Sequence, residues 1–157
     1  MKPIKHLLVA TDFSDCAREA VEYALGFAER VGAEVTIAHV IERPVYFDVG
    51  VAHSLQLRHN VDEWLRELKQ EAAGRLEALT TEVRKRNPGV RSALREGLPV
   101  DEILHAAEET SADLIVIGTH GRTGLPHVLL GSVAERVIRR AQCPVLTVRP
   151  KSRPVRE

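Results

Sequence analysis

The chain has 157 residues, 44% of them hydrophobic and 28% charged, a length and balance that suit a globular domain with a full core. Its 22 Lys+Arg against 22 Asp+Glu leave a formal net charge of zero, which argues against a nucleic-acid binder working through a strong basic field but leaves room for a local anion site. No apolar run reaches the length of a membrane span or a signal-peptide core, and Cys16 and Cys143 stand far apart in no CxxC pattern. The expectation is a cytoplasmic protein with reduced thiols, bound to neither membrane nor nucleic acid.

Residues 6–11, HLLVAT, are a short apolar run expected to form a strand buried on both faces. DFSD interrupts it, and Ser14 or Asp15 offers a side-chain oxygen to cap a helix. Ala17, Ala20, Val21, Ala24, Ala28 and Val31 then recur at helical spacing, and Gly32 suits the left-handed position that ends a helix. Residues 33–40, AEVTIAHV, give a second strand with β-branched Val35, Thr36 and Ile37. Residues 41–60 lack clear periodicity and contain Pro44; connections of that length are often functional or variable. Val61, Leu65, Leu68, Ala72, Leu76, Leu79 and Val83 mark a long amphipathic helix that begins as early as Ser54 and is ended by Asn-Pro-Gly at 87–89. Trp64, near its start, reads as a core residue. VRSALREG, residues 90–97, has the least regular strand pattern and belongs at a sheet edge.

A third helix opens near Pro99. Residues 114–119, LIVIGT, are a second doubly buried run. Ser132 starts a fourth helix with Ala134, Val137, Ile138 and Ala141 on one face, and Pro144 starts a last strand, PVLTV. The alternation β-α-β-α-β-α-β-α-β means an α/β fold: a parallel sheet with helices on both faces. The reading is one domain over residues 1–150 and a polar tail over 151–157.

Open parallel sheets bind ligands beyond the carboxyl ends of their strands, where strand order reverses. The two most apolar strands, first and fourth, are expected to be central neighbours, so DFSD and the stretch GTHGRTGLPHVLLGS at 118–132 should face one crevice. That stretch holds four of the ten glycines. Gly121 and Gly124 let backbone approach a ligand, and Gly131-Ser132 opens a helix whose first N–H groups attract an anion. Ser132 adds a hydroxyl, Arg122 a full positive charge, and His120 or His127 a partial one. A Walker A loop is excluded because no lysine lies between Gly118 and Ser132, and the first turn, TDFSD, lacks the glycines of a dinucleotide fingerprint. Asp12, directly after the first strand, suits a ribose hydroxyl or a metal-bound water, or else a turn bond to its own backbone.

The pattern Gly118-x2-Gly121-x9-Gly131-Ser132 resembles the nucleotide-binding signature of the universal stress protein family. VATDFSDCAREAVEYAL is similar to that family's opening strand, acidic turn and first helix, and CPVLTVRP to its last strand. The resemblance implies an open, Rossmann-like five-stranded parallel sheet of order 3-2-1-4-5 with four helices, and a protein that binds ATP or a related adenine nucleotide with Mg or Mn near the phosphates. By position it implies Ala10, Thr11 and Asp12 beside the adenosine, the Val40 backbone at the adenine edge, and Gly118 and Thr119 by the ribose. Gly121, Arg122, Gly131, Ser132 and Val133 would cradle the phosphates. Ala10 departs from the family's frequent proline, a change that a backbone role survives. The resemblance also implies a homodimer through the last strand, between Pro144 and Val148, whose exposed edge needs a partner in any case.

The remaining candidates are bland. No histidine pair has zinc-ligand spacing, His39 reads as a strand residue and His105 as a helix residue. Cys16 falls in a helix's first turn, without a Cys–His pairing that would make it a nucleophile. Three functions stay open: a regulatory ATP-binding protein of the stress response, a slow ATPase or phosphoryl-transfer enzyme relying on Asp12 and Arg122, and an interaction protein whose nucleotide is structural. No catalytic set is identifiable, which favours the first.

Overall fold

The computed structural model describes residues 3–42, 55–120 and 130–150, with the backbone alone at 55–58. The expected tail at 151–157 lies outside them. The elements alternate as expected: β1 (His6–Ala10), α1 (Asp15–Val31), β2 (Glu34–Glu42), α2 (Leu55–Arg84), β3 (Arg91–Gly97), α3 (Pro99–Glu109), β4 (Leu114–Gly118), α4 (Ser132–Arg140) and β5 (Val145–Val148). The strands form one sheet in the order β3-β2-β1-β4-β5, every neighbouring pair parallel. β1 and β4 are adjacent, with Leu7 opposite Leu114 and Ala10 opposite Ile117, so the order reverses between them.

Period-two alternation distributes each central strand between two cores. Leu7, Val9, Val35, Ile37, Leu114 and Val116 face one cluster, filled from α1 by Ala20, Val21, Ala24 and Ala28 and from α2 by Leu76 and Val83. Leu8, Ala10, Ala38, Ile115 and Ile117 face the other, filled by Val100, Ile103 and Ala106 of α3 and Ala134 and Val137 of α4. Both faces of β1 and β4 are thus covered, which is why these two segments contain no polar residue facing solvent.

Helix ends follow their sequence signals. The Ser14 hydroxyl accepts from the Ala17 N–H, Gly32 closes α1 in the left-handed region at φ 69°, and Pro99 occupies the first turn of α3. Two residues that keep helical spacing with buried neighbours are exposed. Val31 is 46% exposed and Ile138 43% exposed. Val31 is the last residue of α1, and Ile138 lies in the last turn of α4, one turn beyond the buried Ala134. β2 runs two residues past the expected Val40, to Glu42.

Candidate functional site

A cleft of ≈ 1060 Å³ opens at the carboxyl ends of β1 and β4, the position that the strand-order reversal dictates. Ala10, Thr11 and Asp12 enter it from β1, Val40 from β2, Gly118, Thr119 and His120 from β4, and Gly131, Ser132 and Val133 from the start of α4. Every sequence-predicted site residue within the described segments therefore lines one cavity. Gly121 and Arg122, with Gly124 and His127, lie outside the described residues.

The start of α4 lines one end of the cleft. The Gly131 N–H donates to the Thr119 carbonyl oxygen at 2.6 Å, which fixes the helix start against the end of β4. Gly131 is the N-cap and has no side chain to close the helix, in contrast to Ser14 at α1. The first intrahelical bond runs from Glu135 N–H to the Gly131 carbonyl. The amides of Ser132, Val133 and Ala134 thus precede the helical ladder, with no side-chain cap from Gly131, and all three residues line the cleft. Glu135, the acidic residue of that first turn, is engaged by Arg139 at 2.8 Å.

The acidic turn lies on the opposite lip. Asp12 Oδ1 accepts from the Ser14 N–H at 3.0 Å and the Ser14 hydroxyl at 2.5 Å, so the aspartate makes a turn bond while also lining the cleft. Thr11 is held three ways: its N–H donates to the Ala38 carbonyl, its hydroxyl accepts from Phe13 N–H, and its carbonyl accepts from His39 Nδ1 at 2.8 Å. His39 is buried. Because the Ala38 carbonyl faces β1, period-two alternation turns the N–H and C=O of Val40 the same way, past the end of β1 into the cleft. That places one donor and one acceptor side by side on a strand edge.

Gly118 has a packing reason of its own. A Cβ built there would stand 2.8 Å from Cys16 Sγ and 3.2 and 3.3 Å from the Cys16 carbonyl carbon and oxygen. The first turn of α1 therefore packs directly on the end of β4 because position 118 has no side chain. The buried Cys16 thiol donates to the Val148 carbonyl at 3.4 Å, consistent with a structural thiol.

Sequence reasoning missed the third wall. Trp64, Leu68, Glu71, Ala72 and Arg75 of α2 also line the cleft. Trp64, expected in the core, is 43% exposed. The helical spacing of α2 identifies the face turned inward, and between Trp64 and Arg75 the helix also meets the cleft. Among the described residues no three His, Cys, Asp or Glu side chains gather as a metal site, and no helix is long and apolar enough to cross a membrane.

Comparison with known proteins agrees with this architecture. The model of the universal stress protein family matches residues 3–149. Universal stress protein MJ0531 of Methanocaldococcus jannaschii is 39% identical over 145 residues, 92% of this chain and 82% of that protein. Universal stress protein MJ0577 of the same organism is 35% identical over 159 residues, 94% of this chain and 96% of its own. The solved MJ0577 structure aligns with a TM-score of 0.76 over 97% of this chain and all of the other. A universal stress protein solved in complex with cAMP aligns at 27% identity and a TM-score of 0.66, over 96% of this chain and all of that one. The chain belongs to the universal stress protein family.

Proposed function

We propose that this universal stress protein holds an adenine nucleotide, ATP foremost, and acts as a regulatory nucleotide-binding protein of the stress response. The observation that carries this reading is the uncapped amino terminus of α4 opening into a cleft at the β1/β4 reversal. The phosphates lie over the amides of Ser132 and Val133, beside the Ser132 hydroxyl; Gly121 and Arg122, expected at the same phosphates, lie outside the described residues. Asp12 and Thr11 take the ribose side with Gly118, Thr119 and His120, and the Val40 backbone pair meets the adenine edge beside Ala10. The relative solved with cAMP supports an adenine nucleotide as the ligand class.

Mg or Mn enters with the phosphates. The described lining carries three carboxylates, Asp12, Glu42 and Glu71, against one guanidinium, Arg75, an excess that disfavours a bare polyanion. Mg²⁺ characteristically binds through phosphates and retained waters with one or two carboxylates, so Asp12 fits a role as partner to a metal-bound water.

A second copy pairs along β5. Ile115 N–H and Thr119 N–H reach the carbonyls of Pro144 and Val148 on the β4 side. Alternation then points the backbone of Val145 and Thr147 outward, and an edge of this kind is covered by antiparallel pairing about a two-fold axis.

Isothermal titration of nucleotide-stripped protein with MgATP tests the function. Saturable binding is expected, and no heat at millimolar ligand would overturn it. Gly131→Val keeps an accessible backbone, at φ −70° and ψ 153°, so a folded variant that no longer binds supports the α4 site, whereas unchanged affinity contradicts it.

A further inference from the structure

Phe13 is a bulky residue in the left-handed region, at φ 64°, a conformation that a large L side chain holds only when its surroundings impose it. Three contacts impose it here. Its N–H donates to Thr11 Oγ1 at 3.1 Å. Its ring lies 4.4 Å from the His39 ring, tilted by 41°. On α2, the Arg75 guanidinium stands 4.5 Å from the centroid of the same ring. Both Phe13 and Arg75 line the cleft. The strained residue directly follows Asp12 and precedes Ser14, whose N–H and hydroxyl hold the Asp12 carboxylate.

We infer that Arg75 is a positioning residue: its guanidinium, stacked on Phe13, locks the β1–α1 turn in the conformation that presents Thr11 and Asp12 to the ligand. The inference rests on the nucleotide reading of the cleft only for its effect on affinity. The positive charge faces the aromatic ring's negative face, so the stack favours the ring position that accompanies this left-handed backbone. His39 supports the same turn from β2 through the Thr11 carbonyl. Arg75 is exposed and also pairs with Glu71, one turn away on the same helix at 4.0 Å. A planar guanidinium and an ammonium differ in such a stack, so lysine should replace arginine only in part.

The test combines Arg75→Ala, Arg75→Lys and Phe13→Leu in the full chain, with amide exchange by NMR in the absence of ligand and MgATP titration. In Arg75→Ala, exchange at the Phe13 and Ser14 amides should quicken about two- to fivefold, the worth of a partly exposed cation–π contact. Exchange at Glu135, in α4, should not change. MgATP affinity should fall by a similar factor, Arg75→Lys should recover part of both effects, and Arg75→Ala should add little in the Phe13→Leu background. Wild-type exchange at Phe13 and Ser14, or exchange quickened equally at Glu135, would overturn the inference, as would unaltered MgATP affinity in Arg75→Ala. If the wild type binds no MgATP, the nucleotide reading falls while the exchange data still decide the role of Arg75.

Discussion

Gly118→Ala should damage this protein although it adds a single methyl group to a residue whose backbone is not in the left-handed region. The added Cβ would stand 2.8 Å from Cys16 Sγ, closer than real Cβ atoms come, and 3.2 Å from the Cys16 carbonyl carbon. The thiol is buried and bonded to the Val148 carbonyl, so it cannot swing aside as an exposed side chain would. Either the first turn of α1 or the end of β4 must shift, and overpacking of this kind costs about 1–3 kcal/mol. For a chain of this size that corresponds to a fall in Tm of roughly 2–12 °C. The shift would also displace Thr119, whose N–H and carbonyl bind Val148 and Gly131, so MgATP affinity should fall with stability. Thermal unfolding followed by circular dichroism, with titration calorimetry on the same samples, measures both. Adding Cys16→Ala to Gly118→Ala removes the closest contact and should restore part of the loss, because the approaches to the Cys16 backbone persist. A Gly118→Ala protein with wild-type Tm and affinity would refute the packing argument.

Thr147→Pro deletes an outward-facing N–H of β5 while sparing the carbonyls of Pro144 and Val148 that serve β4. It should convert a dimer to a monomer by size exclusion with light scattering, and a persistent dimer would place the interface elsewhere. His6 provides a pH signature. Burial in β1, and next the Arg91 guanidinium beside it, push its pKa below the ordinary 6.5. Its Nε2 pairs with Thr36 Oγ1 at 2.9 Å while Arg91 approaches Nδ1 at 3.4 Å, the arrangement of a neutral ring. Glu34 lies at 3.7 Å but is itself paired with Arg91. The unfolded chain therefore binds the extra proton first, and this contribution to stability is lost as pH falls below about 6.5, levelling off below the depressed folded value. Tm should decline over that window less in His6→Gln than in wild type; identical slopes would contradict the assignment. Trp64, the single tryptophan, lines the cleft, so its emission should change on saturation with MgATP, and a spectrum indifferent to bound nucleotide would separate Trp64 from the ligand.

Much of this was legible in the sequence because it depends on local rules. The apolar runs of β1 and β4 identify strands covered on both faces, which makes them central neighbours and fixes where the cleft opens. Ser14, Gly32 and Pro99 mark helix ends through backbone chemistry that acts within a turn. The two loops flanking the reversal follow from topology, whereas Val40, two residues before the end of β2, came from the family resemblance. What escaped depends on contacts between distant segments. Periodicity says that Trp64 and Leu68 share the inward stripe of α2 but not that the cleft, rather than the sheet, lies opposite them. The stacking of Arg75 on Phe13 joins residues far apart in the chain with no spacing rule between them. The family resemblance sets Gly118 by a ribose, whereas its nearest neighbour in the fold is Cys16. Val31 and Ile138 keep helical spacing yet are exposed.

The central claim is that an adenine nucleotide occupies the β1/β4 cleft with its phosphates on α4. Titrating the isotopically labelled, nucleotide-stripped protein with MgATP and following backbone amide shifts tests it most directly. The account predicts that the amides of Ser132 and Val133, Thr11 and Asp12, and Val40 move together along one saturable isotherm. Saturable binding that leaves Ser132, Val133 and Val40 unmoved, or no shifts at millimolar MgATP, would contradict it.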